Sequence, residues 1–308
     1  MLALALITLG AAGCHSLRTN YVSEERLDQG LVVSLDGIGG YNWGPRWIRS
    51  GFDEAGLSSA FLIYDWSKGP GAMFVGDLVA DARNHAAAED LAQKVATYVA
   101  AKPGRPVTLI GHSGGGAIVV WALEAMPRNV RVERAILLAP ALNPDYDLSK
   151  ALEAVRSRLY VMYSYGDVGL MAAGTAVFGT MDRQHSVGAG LVGFRIPPAG
   201  ADPAQYAKVR QVPWTLDLVK MGHMGGHMGW TTTLFARDFL APILAGKTDP
   251  GQPLTSEEAP PAEPAHAGGT IRPPRPAAPA TAPEETPAPE TRVPETPPEV
   301  PAPESPAP

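Results

Sequence analysis

The sequence of 308 residues contains a single cysteine, Cys14, and no run of five or more basic residues. One cysteine excludes an internal disulfide and a metal site built from cysteine ligands. The formal net charge of −6 and the missing basic run argue against nucleic acid as a partner. The apolar stretch at residues 1–13 is too short to cross a bilayer as a mature helix.

The beginning of the sequence has the features of an export signal. Residues 1–13 are apolar and precede Cys14, which predicts a signal peptide. Residues 11–14 (Ala-Ala-Gly-Cys) resemble the processing site of bacterial lipoproteins, although Ala11 stands where those sites usually have leucine. The resemblance implies that Cys14 is lipidated, and that the protein is exported to the cell envelope and attached to a membrane. A linker is then expected over residues 14–29.

The end of the sequence has a composition of its own. Residues 248–308 consist mostly of Pro, Ala, Glu and Thr, with almost no large apolar side chains. Such a segment cannot bury enough surface to offset the entropy of ordering, so we predict a disordered tail. Its repeated Pro-Ala-Pro-Glu and Pro-Glu-Thr units favour extended polyproline conformations, which indicates a spacer. The folded domain is therefore predicted to occupy residues 30–247.

Within this predicted domain, short apolar runs alternate with helical patterns. Continuous apolar runs suit strands that are covered on both faces. The predicted strands are 31–35, 60–64, 107–110, 135–138, 159–163 and 209–214. The predicted helices are 47–55, 78–101, 117–126, 148–155 and 230–244. This alternation predicts an α/β fold with a mostly parallel central sheet and helices on both faces.

The most informative motif lies where the third predicted strand ends. Residues 107–116 read Val-Thr-Leu-Ile-Gly-His-Ser-Gly-Gly-Gly, so Ser113 stands between small residues at a turn from strand to helix. The glycines admit a strained turn and leave space for a substrate, and such a turn projects the serine hydroxyl above the sheet edge. Ser113 is therefore the candidate nucleophile.

With this turn and this order of elements, the chain from about residue 30 to residue 244 resembles the α/β-hydrolase superfamily, in particular its esterase- and lipase-like serine hydrolases. The resemblance implies the α/β-hydrolase fold and a Ser-His-Asp triad whose acid follows a strand after the serine. Asp167 lies directly after the predicted strand 159–163 and matches that acid. Asp182 is the alternative.

The histidine of the implied triad belongs in a loop near the end of the domain. Residues 222–229 read Gly-His-Met-Gly-Gly-His-Met-Gly and offer His223 and His227. We favour His227 as the base because it directly precedes the closing helix, and His223 stays open as the alternative. The two glycines between them disfavour the helix that would place both imidazoles on one zinc ion, so we expect no metal.

The resemblance also implies two backbone amides that hold an oxyanion. Gly114, directly after the nucleophile, supplies one, and Ile38 in the glycine-rich turn 36–41 supplies the other, with Gly37 as the alternative. The same turn does not match a dinucleotide loop, because Asn42 stands where the third glycine is required. We therefore expect no cofactor.

These residues predict a serine hydrolase that cleaves ester-type bonds of a small-molecule or lipid substrate, as a carboxylesterase or a lipase. A thioesterase, an amidase or a peptidase would use the same triad, and the sequence does not choose among them. Residues 168–198 carry few charges and are a candidate lid or acyl pocket. Two other classes stay open: a catalytically inactive binding protein of the same fold, and an envelope protein that interacts through its Pro-rich tail.

Overall fold

The computed structural model describes residues 20–69, 76–77, 80–167, 180–184, 186–195 and 197–254. The predicted signal, Cys14, residues 168–179 of the candidate lid and residues 255–308 of the predicted tail lie outside this described part. Within it, no helix has both the length and the apolar character that crossing a membrane requires.

The described residues form a sheet of seven strands in the order β2-β1-β3-β4-β5-β6-β7. Neighbouring strands from β2 to β6 are parallel, and β7 runs antiparallel to β6. The strands are β1 Leu31–Leu35, β2 Ala60–Ile63, β3 Val107–His112, β4 Val132–Leu138, β5 Val155–Tyr163, β6 Val209–Pro213 and β7 Gln252–Pro253. The mostly parallel sheet predicted from the sequence is therefore confirmed.

Helices follow the strands as the periodicity predicts. The described α-helices before the closing segment are α1 Glu24–Leu27, α2 Trp43–Glu54, α3 Asp81–Ala101, α4 Gly114–Ala125, α5 Ser149–Glu153, α6 Ala189–Val192 and α7 Pro203–Tyr206. Strands β4 and β5 begin earlier than predicted, at Val132 and Val155. The first few residues of both strands include charged side chains that are exposed or only partly buried. A search for continuous apolar runs therefore misses the beginning of each strand.

The predicted closing helix 230–244 is divided in the structure. Two 3-10 helices, Leu216–Met221 and His227–Thr231, precede α8 Thr233–Phe235, a π-helix Ala236–Leu240 and α9 Ala241–Leu244. Pro242 lacks the N–H that an α-helix would direct to the carbonyl four residues earlier. The preceding turn accordingly widens to π geometry.

Two apolar clusters cover the two faces of the sheet. Helices α3, α4 and α5 contribute to one cluster together with Leu109 of β3. Helix α2 and the closing segment contribute to the other together with Ile110. Successive residues of a strand point to opposite faces, so the continuous apolar run of β3 supplies both clusters.

The chain order places a crevice above the sheet. From β1 the chain passes to β2 on one side and then returns to β3 on the other side of β1. Where the strand order reverses in this way, the loops that follow two neighbouring strands turn away from each other. The crevice that this leaves at the carboxyl ends of the strands is where ligands bind in open α/β sheets. Asp36 follows β1 and Ser113 follows β3 at this position.

Residues 248–254, the first part of the predicted tail, belong to the folded domain. Asp249 accepts hydrogen bonds from Arg158 (2.9 Å) and Tyr160 (2.8 Å), and Leu254 is buried. Strand β7 then pairs with β6. The predicted boundary at Lys247 is therefore too early, because composition does not reveal that a short polar segment completes the sheet edge.

The described part of the candidate lid also belongs to the core. Met181 and Phe194 are each only 1% exposed and pack in the cluster that contains α4. The amide of Met181 donates to the carbonyl of Ala141 at 2.9 Å. Met181 and Phe194 therefore belong to the core, and residues 168–179 of the candidate lid lie outside the described part.

Candidate active site

The turn from β3 to α4 holds Ser113 in a rare backbone conformation. Its φ of 53° and ψ of −121° lie where non-glycine residues seldom occur, and such strain concentrates at functional sites. Three hydrogen bonds fix the turn: Ser113 N–H donates to the Leu138 carbonyl (2.9 Å), and its own carbonyl accepts from Gly116 (2.9 Å) and Ala141 (3.1 Å). The predicted strand-serine-helix turn is thus present.

Two glycines of the motif make this turn sterically possible. A Cβ on Gly111 would overlap the carbonyl group of Gly115, and a Cβ on Gly115 would overlap the carbonyl of Asp36. The helix therefore begins directly against the end of β1. This contact brings Ser113 beside the loop that follows Asp36, and the Ser113 Cβ lies 3.1 Å from where a Cβ on Gly37 would be.

The structure brings Asp167 and His227 together although 60 residues separate them. Asp167 follows β5, His227 begins the second 3-10 helix, and the carboxylate lies 2.5 Å from the imidazole Nδ1. Both side chains are buried. An imidazole that donates Nδ1–H to the carboxylate keeps a lone pair on Nε2, which is the tautomer a general base requires.

Burial lowers the pKa of His227, and the electrostatic influence of the neighbouring His112 lowers it further. The hydrogen bond and the negative charge of Asp167 act in the opposite direction, but the net shift is downward. The imidazole is therefore neutral, and able to accept a proton, to a lower pH than an exposed histidine.

The alternatives for acid and base have other partners. Asp182 accepts the backbone N–H of Asn143 at 3.1 Å. His223 is fully buried, and its Nδ1 accepts the N–H of Gly225 at 3.0 Å. Its ring meets Trp230 edge to face at 4.0 Å, and burial lowers the pKa of His223 to about 4. His223 is thus a neutral core side chain.

A second aspartate-histidine pair lies beside the first. His112 Nδ1 is 3.4 Å from the Asp36 carboxylate, and His112 Nε2 donates to the backbone carbonyl of His227 at 3.2 Å. The rings of His112 and His227 are 4.6 Å apart. Asp36 is not among the site residues predicted from the sequence, although it follows β1 as Asp167 follows β5.

The environment of Asp36 stabilises its charged form. Burial raises the pKa of this carboxyl group, but the hydrogen bond with His112, the charge of His112 and the amides of Gly37 and Gly44 together lower it more. The Gly37 N–H is 2.9 Å from the carboxylate. The Asp36 carboxylate therefore contacts both the glycine-rich turn 36–41 and His112.

The amides proposed for the oxyanion lie next to each other. Because Gly37 N–H donates to Asp36, it is not free for a substrate. Ile38 and Gly114 donate to no partner among the described residues. The Ile38 Cγ2 lies 3.1 Å from where a Cβ on Gly114 would be, so the two residues are in contact. Of the alternatives, the geometry favours Ile38 over Gly37.

An open cleft of about 660 Å³ lies against Asp167 and His227. Its lining is Trp47, Gly166, Asp167, Gly222, Met224, Gly226, His227, Met228, Gly229 and Thr232. In the part of the chain that the structure describes, no group of three His, Cys, Asp or Glu side chains could hold a metal ion.

The comparisons with known proteins agree with the fold. A model of the hydrolase family described as serine aminopeptidase, S33, matches residues 76–181, a segment that contains Ser113 and Asp167 and ends before His227. No curated protein matches the sequence. Together with the mostly parallel sheet, the family match confirms the predicted α/β-hydrolase fold.

Solved structures that resemble the chain have low sequence identity to it. A lipase-esterase related protein from Clostridium acetobutylicum ATCC 824 is 10% identical, with 71% of this chain and 95% of that chain covered and a TM-score of 0.39. Lipase B from Aspergillus fumigatus is 13% identical, with 77% and 56% covered and a TM-score of 0.43.

Proposed function

We propose that this member of the α/β-hydrolase superfamily is a serine hydrolase that cleaves carboxylic esters through an acyl-enzyme. The observation that carries the proposal is the contact of Asp167 with His227 Nδ1, at the same sheet edge as the strained Ser113 turn. The amides of Ile38 and Gly114, which donate to no partner in the described part of the chain, complete the set of groups that acyl transfer requires.

In the proposed first half of the reaction, the Oγ of Ser113 attacks the ester carbonyl carbon, and His227 Nε2 takes the proton from that Oγ. The carbonyl electrons move to oxygen, where the amides of Ile38 and Gly114 stabilise the negative charge. Asp167 stabilises the imidazolium that forms. The carbonyl then re-forms, the bond to the alcohol oxygen breaks, and His227 donates its proton to that oxygen.

In the proposed second half, water repeats these steps on the acyl-enzyme. His227 accepts a proton from water, the hydroxide oxygen attacks the acyl carbon, and Ser113 leaves with the proton returned to its Oγ. The carboxylic acid is released, and the triad regains its starting protonation. No cofactor is consumed in either half.

The lining of the cleft favours an ester over the peptide substrates that the family description names. An aminopeptidase must bind the α-ammonium group of its substrate, for which a free carboxylate is suited. In the lining that the structure describes, the one carboxylate is that of Asp167, and it is paired with His227. An ester has no such charge to pair.

The test is labelling with a fluorophosphonate, which reacts covalently with an activated serine. We expect labelling of the wild-type protein, none of Ser113→Ala, and a loss of ester turnover of at least about 10³-fold in that variant. Ser50→Ala, which changes an exposed serine on α2, is the matched control and should behave as the wild type. An unlabelled wild-type protein at neutral pH would favour the binding-protein alternative.

A further inference from the structure

Large apolar side chains are exposed around the cleft that contains His227. Trp47, Met224 and Met228 line it and are 41%, 76% and 40% exposed. A soluble protein seldom exposes several such side chains side by side unless they bind an apolar partner. Methionine, with its flexible thioether, adapts to ligands of varying shape.

The charge of the lining restricts what this cleft can bind. Among the ten lining residues that the structure describes, Asp167 and His227 are the only titratable ones, and they form a hydrogen-bonded pair with each other. The remaining residues are glycines, one threonine, the two methionines and Trp47. Binding an ammonium or carboxylate group here would remove its water without supplying an opposite charge, which is unfavourable.

The apolar surface continues beyond the cleft along the start of α2. The rings of Trp47 and Trp43 are 6.4 Å apart, and those of Trp43 and Tyr41 are 5.0 Å apart. Trp43 and Tyr41 are each about half exposed. These three rings, called here the aromatic ladder, form an elongated surface that leads into the cleft at Trp47.

We propose that the cleft and the aromatic ladder bind an unbranched alkyl chain of the ester substrate, and that this contact makes the enzyme selective for long-chain over short-chain esters. The inference rests on the proposed function for its reaction, but the binding that it describes does not depend on turnover. An elongated, largely apolar surface beside the base fits such a chain better than a compact polar group.

The experiment measures kcat/KM for p-nitrophenyl esters from acetate to octanoate, below the concentrations at which they aggregate. A parallel series of acetates, from methyl to octyl, shows whether the chain belongs to the acid or to the alcohol. We expect kcat/KM to rise with chain length in one of the two series. Met224→Ser and Trp47→Ser should each lower the long-to-short ratio about tenfold.

The matched control is Leu216→Ser. Leu216 is 77% exposed, nearly the same as Met224, but it does not line the cleft. This variant should keep the wild-type ratio. A ratio that is flat in the wild type, or that the two cleft variants leave unchanged, would overturn the inference. A lower melting temperature of the two cleft variants, with an unchanged long-to-short ratio, would also overturn it. These side chains would then stabilise the fold and not bind the substrate.

A binding measurement separates failure of this inference from failure of the proposed function. The Ser113→Ala variant is titrated calorimetrically with octyl acetate, with methyl octanoate and with methyl acetate. Binding of either long-chain ester that is tighter than binding of methyl acetate, and that Met224→Ser weakens in the same background, supports the alkyl site even if no ester is hydrolysed. Equal binding of the three esters contradicts it even if Ser113 of the wild-type protein is labelled by the fluorophosphonate.

Discussion

Two loops at the carboxyl edge of the sheet each carry a buried aspartate against a histidine. In the pair of Asp36 and His112, both ring nitrogens are engaged, one by the carboxylate and the other by the His227 carbonyl. In the pair of Asp167 and His227, only Nδ1 is engaged, and Nε2 has no partner among the described residues. The pair of Asp36 and His112 thus connects two parts of the site, whereas the pair of Asp167 and His227 leaves one ring nitrogen to act as a base.

The difference lies in what faces the second nitrogen. His112 is the residue before the nucleophile, so its ring is fixed by the strained turn and points back to the loop of His227. His227 lines the cleft, and its Nε2, which has no partner among the described residues, can accept a proton. We infer that the first pair positions the second.

Of the substitutions in these two pairs, Asp167→Asn is expected to have the largest effect on kcat. An amide in place of the carboxylate favours the wrong imidazole tautomer and leaves the imidazolium without its counter-charge, so kcat should fall about 10³- to 10⁴-fold. Asp182→Asn is the matched control, since Asp182 only caps a loop amide, and it should keep most of its turnover. Equal losses in the two variants, measured by steady-state kinetics, would refute the assignment of the acid.

A smaller effect is expected from His112→Ala. Losing the hydrogen bond to the His227 carbonyl frees the loop, and misplacement of the base should lower kcat about 10- to 100-fold. A shift of the pH profile tests whether this effect passes through His227. His227 acts as a base only when neutral, and burial lowers its pKa, so the acidic limb of kcat/KM lies below pH 6.5 in the wild type.

His112 is among the electrostatic influences that lower the pKa of His227, so the acidic limb should move to higher pH in His112→Ala. His112→Gln, whose side-chain amide can donate to the same carbonyl, should recover part of kcat. If kcat falls while the limb stays in place and the glutamine variant recovers nothing, His112 has only a structural role and the first pair does not position the second.

The sequence predicts the parts of this site that depend on short motifs and misses those that depend on contacts across the chain. Ser113 is recognisable because strand, glycines and helix are adjacent in sequence. The contact between Asp36 and His112 joins residues 76 positions apart, and the sequence around Asp36 does not predict this contact. In the same way, the sheet-edge role of Asp249 depends on partners on β5, which composition cannot show.

The choice between the two histidines of residues 222–229 also needed the fold. Both stand in the same Gly-His-Met-Gly surroundings, and the sequence distinguishes them only by their distance from the closing helix. His227 meets a carboxylate, whereas His223 meets Trp230 and the amide of Gly225. Its position before the closing helix was the one local sign in favour of His227.

The smallest effect on activity is expected from His223→Gln, which sharpens the comparison by changing a histidine that has no carboxylate. Turnover per folded molecule should stay within about twofold, while the dependence of stability on pH should change. The pKa of His223 is about 4 in the folded state and about 6.5 in the unfolded state, so the unfolded chain binds more protons between these values. The stabilisation is complete above pH 6.5 and is lost as the pH falls to 4, by up to about 3 kcal/mol.

Glutamine is neutral throughout this range, and its carbonyl can accept the Gly225 N–H that His223 accepts now. The variant should therefore lose less of its free energy of unfolding between pH 6.5 and pH 4 than the wild type, even if it is less stable at pH 7. Urea unfolding at several pH values measures both slopes. Equal slopes would mean that His223 takes up protons in the folded state, and the neutral, purely packed role assigned to it would then be wrong.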